Sequence, residues 1–278
     1  MTWWFAAVMG VVQGLTEFIP ISSTAHLRIL PALFGVEDPG AAYTAVLQLG
    51  TLAAVIVYFA KDLIALPGAM VRDPSTPEGR LPWLLAAGTV PIVIAGLLLK
   101  KHIEGDLRSL YVVAIALITV GIALAVIDRI ASGREVSRDF ASITLADAVC
   151  VGLAQTLAVV PGVSRSGATI CMALLLGISR SDSARFSFLL SIPAIAGAAI
   201  FELKAAVFPP AGAVGASVPA LGNNISGLLI GTGAAFVVGY AAIAWLMKWL
   251  GSHDLVGFAI YRIVAGLALL AALLRGLL

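Results

Sequence analysis

Reactive side chains crowd into one short stretch near the start of an otherwise apolar chain. The segment QGLTEFIPISSTAH supplies amide, carboxylate, hydroxyl and imidazole groups, namely Gln13, Glu17, Ser22, Ser23, Thr24 and His26. Gln13 and Glu17 are four residues apart, so a helix would place them on one face, where their oxygen atoms can ligate Mg²⁺ or Ca²⁺. His26 follows Ser23 by less than one helical turn, and a serine beside a base is an activated nucleophile. The stretch therefore predicts a nucleophile next to a divalent cation.

A second polar cluster follows Pro161 in the sequence PGVSRSGAT. It adds a guanidinium to a further set of hydroxyls, namely Ser164, Arg165, Ser166 and Thr169. Ser and Thr after a break can simply cap the next helix. Together, however, the two clusters offer hydroxyls and free N–H groups at two helix N-termini, and Arg165 adds a positive charge. Such a set suits an anion, and a phosphate best.

The composition indicates the environment in which both clusters lie. The 278 residues are 60% hydrophobic and 12% charged, with a mean hydropathy of +1.05, whereas soluble domains carry about 25% charged residues. This balance indicates an all-α polytopic membrane protein. The basic residues are scattered and the net charge is +2, which excludes a soluble nucleic-acid binder. Cys150 and Cys171 both lie in apolar segments, so neither a disulfide framework nor a zinc site is expected.

Six apolar runs approach or reach the length of about 20 residues that crossing a bilayer takes. They cover residues 41–60, 82–99, 109–127, 184–203, 225–247 and 256–275. The connections at 61–80 and 128–139 are charged or rich in Pro and Gly, and 208–224 is a flexible loop by composition. Met1–Leu27 contains no Lys or Arg, so we expect no cleavable signal peptide.

The two polar clusters lie in segments that do not fit as simple spans. Residues 1–33 are broken at Pro20 and residues 144–178 at Pro161, and each break is followed by hydroxyl residues and a second apolar stretch. Non-helical backbone at membrane depth is tolerated only where protein or a water-filled cavity covers it, so we expect two re-entrant helical hairpins. Because a charge at the bilayer centre costs about 2.5–3.5 kcal/mol on insertion scales, the charges of the two hairpins should compensate each other or hold a ligand together.

The two halves of the chain match at a constant offset of 142 residues. The matched pairs include Gly10 with Gly152, Gln13 with Gln155, Leu15 with Leu157, Ser22 with Ser164, Ser23 with Arg165, and Leu47 with Leu189. One hairpin plus three spans is an odd number of crossings, so the second copy must enter from the opposite side. We therefore expect an inverted repeat within a single membrane domain, 1–278, with repeat one at about 1–130, repeat two at about 140–278, and the hairpin tips meeting near the midplane.

The loop charges predict the orientation. Nine Lys and Arg residues fall on the side of the 128–139 connection and six on the other side. The positive-inside rule then favours both termini outside the cytoplasm.

Arg262 is a third charge inside an apolar run. It could be a second phosphate contact, the partner of an acid, or a residue near the membrane interface. Its closeness to the polar loop at 251–254 favours the interface. His102 and His253 lie in connections, and we expect both to be structural.

The two motifs resemble the signatures of the bacitracin-resistance type undecaprenyl-diphosphate phosphatases. QGLTEFIPISSTAH is similar to the family pattern of Glu or Gln, three residues, Glu, and then Pro-x-Ser-Ser-Thr-x-His, while PGVSRSGAT matches Pro-Gly-x-Ser-Arg-Ser-x-x-Thr throughout. The likeness in length, hydropathy and motif spacing covers essentially the whole chain. Gln13 stands where many members carry Glu, which puts more weight on Glu17, and Ala25 replaces a common Gly.

The resemblance implies six spans with two re-entrant hairpins and hydrolysis of undecaprenyl diphosphate to undecaprenyl phosphate and inorganic phosphate. This reaction recycles the lipid carrier for cell-wall synthesis in the bacterial plasma membrane and confers bacitracin resistance. It also implies a divalent cation and a site open to the outer face. Mapped onto this chain, the resemblance implies that Ser23 attacks the terminal phosphorus, that His26 or Glu17 is the base, and that Arg165 stabilises the charge on the phosphoryl group. Gln13 and Glu17 would hold the metal. The hydroxyls that bind the phosphates would be those of Ser22, Thr24, Ser164, Ser166 and Thr169.

Inverted repeats around a midplane anion site are also typical of transporters. A transporter or flippase of a polyprenyl phosphate, or of another anion, is therefore the alternative. It would need the anion site but not a nucleophile with a base. A phosphatidic-acid type phosphatase works through a phospho-His and needs a downstream His followed by an Asp. No His occurs between His26 and His102 or between His102 and His253, so this alternative is discarded. The oligomeric state is left open, a homodimer included.

Overall fold

The computed structural model describes residues 2–104, 107, 109–133, 137–207 and 225–278, and within them helices joined by short loops form the fold, with no β-strand. Within these ranges the α-helices are α1 Trp3–Phe18, α2 Ser23–Leu33, α3 Gly40–Tyr58, α4 Ala60–Arg72, α5 Pro77–Glu104, α6 Leu110–Ser132, α7 Leu145–Gln155, α8 Arg165–Leu175, α9 Arg180–Val207, α10 Ile225–Trp249 and α11 Val256–Leu274. Short 3₁₀ turns cover Phe140–Ser142 and Thr156–Val159. The all-helical prediction is confirmed for this part of the chain.

Five of these helices, α5, α6, α9, α10 and α11, are long and apolar enough to cross a membrane. Residues 42–58 of α3 pass the same test only together with α4, from which α3 is bent by 67°. The chain is therefore a multi-pass membrane protein with five such spans, or six if the bent pair is one span. Each of the six predicted apolar runs corresponds to one of these helices or to α3.

The connection at 61–80 is more ordered than its composition suggests. It contains most of α4, in which no residue is buried, and Ile64 and Val71 are about four-fifths exposed. Lys61 and Arg72 lie near its two ends. An amphipathic helix of this kind is typical of a membrane surface. The predicted flexible loop at 208–224 lies outside the described residues.

The chain breaks at both places that the sequence predicts. α1 ends at Phe18 and α2 begins at Ser23, so the first break spans Pro20. α7 ends at Gln155, passes into the 3₁₀ turn, and α8 begins only at Arg165. Each second helix is capped by a serine, because Ser22 Oγ accepts from Ala25 N at 3.4 Å and Ser164 Oγ accepts from Gly167 N at 3.1 Å.

Each broken segment packs against a long helix from the other half of the chain. α1 lies along α10, and α7 lies along α5. The contacts are backbone to backbone: a Cβ on Gly10 would lie 2.0 Å from the carbonyl oxygen of Gly231, and a Cβ on Gly152 would lie 2.3 Å from that of Gly88. Both broken segments are thereby held tightly against long helices of the bundle.

Other contacts fix the two ends of these segments. The Phe18 ring at the end of α1 meets Phe188 of α9 edge-to-face, with centroids 5.3 Å apart and both rings fully buried. At the start of α7, Asp147 forms a capping box with Thr144 and accepts from Arg138 at 2.6 Å. The first helix of each broken segment is thus anchored before the chain breaks.

Candidate active site

The Glu17 carboxylate lies where the two broken segments meet. Its Oε2 accepts from Ser23 Oγ at 2.6 Å, and its Oε1 accepts from Arg165 NH2 at 3.1 Å. The Glu17 side chain is 4% exposed and that of Arg165 is 13% exposed. The predicted compensation between these two intramembrane charges is therefore present. A short hydrogen bond to a carboxylate in a buried position is suited to removing the serine proton.

Gln13 supports the carboxylate from one turn earlier in α1. Its Nε2 donates to Glu17 Oε2 at 3.0 Å and lies 3.4 Å from Thr51 Oγ1 of α3. Gln13 and Thr51 are both fully buried. Gln13 and Thr51 thus hold the Glu17 carboxylate in position, and Thr51 makes α3 part of the site. Thr51 was not predicted as a site residue from the sequence.

Two buried polar atoms of the side chains that bond Glu17 lack a hydrogen-bond partner among the described residues. One is Gln13 Oε1, an acceptor, and the other is Arg165 NH1, a donor. Buried polar groups are normally paired, so a missing partner points to a ligand. The acceptor suits a cation and the donor suits an anion.

No group of three or more His, Cys, Asp or Glu side chains that could hold a metal occurs within the described ranges. The oxygen donors next to Glu17 instead come from neutral groups, such as Gln13 Oε1. Hard cations accept such oxygens and usually complete their shell with water or substrate phosphate. The residues therefore fit a divalent cation that is bound together with a phosphorylated ligand.

The backbone adopts the same unusual conformation at both helix starts. Ser22 has φ 76° and Ser164 has φ 74°, and in the described part of the chain no other residue except glycine has a positive φ. Such strain costs about 1–3 kcal/mol and is found where the surrounding structure over-determines the backbone. Hydroxyl pairs follow in both copies, at 3.1 Å between Ser22 and Thr24 and at 3.1 Å between Ser164 and Ser166.

Arg262 makes contacts that hold the backbone in this conformation. Its guanidinium donates to backbone carbonyls on both sides of the site: to Pro20 at 3.1 Å, to Gly162 at 2.7 Å and to Val163 at 3.1 Å. The side chain is fully buried. Two of the roles considered from the sequence, the partner of an acid and a residue near the membrane interface, do not fit this position, because in the described ranges Arg262 bonds neither an acid nor the polar loop at 251–254. It binds the two chain breaks to each other through α11.

His26 is engaged away from Ser23. Its Nδ1 lies 2.7 Å from the Ser22 carbonyl, which can only accept, so the proton belongs on Nδ1. Its Nε2 lies 2.6 Å from the Tyr261 hydroxyl and accepts from it. No hydrogen bond between His26 and Ser23 is present in the described structure. This geometry favours Glu17 over His26 as the base.

The predicted phosphate-binding hydroxyls divide into two groups. Thr24 and Ser164 line the cavity that contains Glu17, Ser23 and Arg165. Ser22 is occupied as a helix cap, and Ser166 is fully buried against the Glu17 and Ile19 carbonyls. Thr169 is fully buried and bonds Ser187 at 2.6 Å. The last three therefore shape the backbone of the site and do not reach the surface of the cavity.

Three adjoining cavities surround the site. The one with the reactive groups has a volume of about 180 Å³ and is also lined by Gln48 of α3. A second, of about 250 Å³, contains Arg28 and shares Gln48 with the first. A third, of about 300 Å³, lies between α5 and α9, and its lining is almost entirely apolar. All three meet at Val159 and Ala198. Gln48 was not predicted as a site residue, although a glutamine inside an apolar span is itself an indication of a functional position.

The fold and the site together define a multi-pass membrane protein with a buried serine, carboxylate and arginine, a set suited to phosphate chemistry. Comparison with known proteins narrows this class. The sequence model of the family "Bacitracin resistance protein BacA" matches residues 6–268. The chain therefore belongs to the BacA family.

Similar proteins match over almost their whole length. One from Myxococcus xanthus, named undecaprenyl-diphosphatase, is 48% identical, and the alignment covers 98% of this chain and 89% of that protein. Proteins with the same name from Prosthecochloris aestuarii and Nocardioides sp. are 45% and 44% identical, with 98% of this chain covered in both alignments and 97% and 96% of those proteins. The resemblance seen in the two motifs thus extends over the full chain.

Proposed function

We propose that this protein hydrolyses undecaprenyl diphosphate to undecaprenyl phosphate and inorganic phosphate, and so confers resistance to bacitracin. The observation that carries the proposal is the 2.6 Å contact between the Ser23 hydroxyl and the Glu17 carboxylate, in one cavity with Arg165. Membership of the BacA family and the name of its relatives support the same reaction. The enzyme is then a membrane-embedded phosphatase that regenerates a lipid carrier.

The first half of the reaction uses the groups that already touch. Ser23 Oγ attacks the terminal phosphorus while its proton passes to Glu17. The bond between that phosphorus and the bridging oxygen breaks, and undecaprenyl phosphate leaves as an anion. Arg165 stabilises the negative charge on the transferring phosphoryl group, and its unpaired NH1 is free for that contact.

The second half restores the serine. Glu17 first returns its proton to solvent or to the leaving phosphate. It then takes a proton from a water molecule as this water attacks the phosphoserine, and Ser23 leaves with a proton from Glu17. The products are inorganic phosphate and the free enzyme, so one water molecule is consumed in each turnover. His26, hydrogen-bonded to Tyr261, holds the first turn of α2 in place.

A divalent cation, Mg²⁺ or Ca²⁺, is part of the proposal. Gln13 Oε1 and the Glu17 carboxylate would hold it, with substrate oxygens completing its shell. When bound, the cation supplies positive charge to the diphosphate. Gln13 and Glu17 together also keep the carboxylate oriented towards Ser23.

The apolar cavity between α5 and α9 suits the start of the prenyl chain. Its lining includes Val93, Leu97 and Phe201, and Gly96 and Gly197 keep it wide. Val159 and Ala198 connect it with the reactive cavity. The lipid would then lie with its tail between two spans and its diphosphate against Ser23.

For the finer architecture we propose two re-entrant hairpins in an inverted repeat. The matched serine conformations at 22 and 164 and the matched glycine contacts support this arrangement. We further propose a bacterial plasma-membrane location with both termini and the site on the outer side. The side of the termini rests on the loop charges, and the location and the side of the site rest on the family. The substrate diphosphate would then be dephosphorylated on the outer face.

The transporter alternative would use the same cavity for an anion. It gives no reason for a serine that shares a short hydrogen bond with a buried carboxylate, so hydrolysis is favoured. Hydrolysis and transport differ in one product, because only hydrolysis releases free inorganic phosphate.

The test is phosphate release from undecaprenyl diphosphate by protein purified in detergent, with Mg²⁺, with Ca²⁺ and with EDTA. We expect cation-dependent release that is lost in both Ser23→Ala and Arg165→Ala. Thr119→Val is the matched control, because Thr119 is an exposed hydroxyl in mid-span that bonds only carbonyls of its own helix. Bound lipid without release by the unmodified protein would support the transporter instead.

A further inference from the structure

Gln48 is a polar side chain in the middle of an apolar helix. It lies in the sequence AVLQLGTLAAV of α3, and its side chain lines both the reactive cavity and the adjoining cavity that contains Arg28. Across the described residues, its amide has no hydrogen-bond partner within the protein. An amide at such a position is costly unless it meets water or a ligand.

The scaffold does not need a polar group at this position. The residue at the 142-residue offset is Leu190 of α9, which is fully buried and packs beside Gly88. The equivalent helix therefore folds with leucine where α3 carries glutamine. At this position the two halves differ, and the glutamine belongs to the half that carries the serine and the carboxylate of the same cavity, which points to a ligand rather than to packing.

The neighbours of Gln48 show which part of a ligand it would meet. One turn before it, Thr44 lines the cavity with Arg28, and one turn after it, Thr51 supports Gln13 and hence Glu17. These three α3 residues form a polar stripe at helical spacing that leads from the second cavity to the carboxylate. The apolar cavity for the lipid tail has neither Gln48 nor Thr44 in its lining. The stripe is thus on the phosphate side of the site.

We infer that Gln48 is a substrate-binding residue that donates its amide N–H groups to the phosphate being transferred and holds it at the junction of the two polar cavities. The identity of the ligand rests on the proposed function. A neutral amide can orient a diphosphate and still release inorganic phosphate, because it adds no net charge to the attraction. Gln48 adds a phosphate contact from a third element, α3, to those at the two helix starts that line the same cavity.

The experiment compares Gln48→Leu and Gln48→Glu with the unmodified protein in detergent. Leucine is the residue that the chain itself uses at the equivalent position, so the fold should be kept. We expect KM for undecaprenyl diphosphate to rise roughly tenfold in Gln48→Leu with a much smaller change in kcat, and product inhibition by inorganic phosphate to weaken by a similar factor. Gln48→Glu keeps the shape but adds a negative charge, and its KM should rise further.

Direct binding of undecaprenyl diphosphate, measured in the same variants, separates this inference from the proposed function. If the unmodified protein binds the lipid without hydrolysing it, the proposed function is wrong. A tenfold weaker lipid affinity of Gln48→Leu would then still support the contact between Gln48 and the phosphate. The inference is overturned if KM, lipid affinity and phosphate inhibition of Gln48→Leu all stay within about twofold of the unmodified protein. It is also overturned if Gln48→Glu behaves like Gln48→Leu, because a ligand anion would be repelled only by the charged variant.

Discussion

The Ser23 hydroxyl donates to the Glu17 carboxylate at 2.6 Å across the break between α1 and α2. The two residues belong to different helices, so their contact depends on the chain conformation at Pro20 and Ser22. The proposed nucleophile and its proposed base are thus brought together by a backbone break rather than by one helical turn.

This contact predicts the effect of replacing the base. Glu17→Gln keeps the shape and a hydrogen bond to Ser23 but cannot take a proton, so kcat should fall by about 10²–10⁴-fold. His26→Gln, measured in parallel, should retain much more activity, because His26 bonds Ser22 and Tyr261 and not Ser23. Phosphate release at saturating substrate checks both variants. An equal loss in the two would make His26 a base as well.

The cation site can be tested through two matched glutamines. Gln13 bonds Glu17, whereas Gln155, at the 142-residue offset, lies 3.4 Å from the Gly88 carbonyl. Gln13→Leu should raise the cation concentration for half-maximal activity by about 10–100-fold, and Gln13→Glu should lower it because a second carboxylate is added. Gln155→Leu should leave it unchanged. Equal cation dependence in all of these variants would remove Gln13 from the metal site.

Arg262 should matter for both stability and turnover. Arg262→Met keeps much of the volume but leaves the Pro20, Gly162 and Val163 carbonyls without their donor, at about 1–3 kcal/mol for each unsatisfied group. We expect a lower unfolding temperature in detergent and a lower kcat. Arg262→Lys should recover part of the stability, because lysine restores the charge but not the planar fork. Arg129→Met, at an exposed position of α6, is the control and should change neither.

The two close helix contacts should be equally intolerant of a side chain. A Cβ at Gly10 or at Gly152 would meet a backbone carbonyl at 2.0 Å or 2.3 Å, so the helices must move apart. Gly10→Ala and Gly152→Ala should each destabilise the protein by about 1–3 kcal/mol. Gly257→Ala in α11 has open space around it and should be neutral or stabilising. Thermal unfolding of the three variants in one detergent checks the pattern.

The sequence predicted the helices and their breaks well, because apolar length, proline and the capping serines act locally. It also predicted that Glu17 and Arg165 lie together, because isolated charges are costly in a membrane. The role of Arg262 could not be predicted from the sequence, since the carbonyls that it binds come from segments far away in the chain. Ser166 and Thr169 share a motif with Arg165, but the rotation of α8 against its neighbours turns their hydroxyls away from the cavity. That rotation is a property of tertiary packing and leaves no trace in motif spacing.

The packing of α1 against α10 has a consequence for biogenesis. α1 is translated well before α10, which carries the glycine surface around Gly231 that receives α1. During synthesis, the Glu17 carboxylate is therefore in the translocon or at its lipid boundary before Arg165 is available to pair with it. α1 cannot pack in its final position until α10 has been inserted. The nascent chain should depend on insertion factors that shield polar segments, and truncation before Ile225 should leave the first hairpin exposed to membrane proteases.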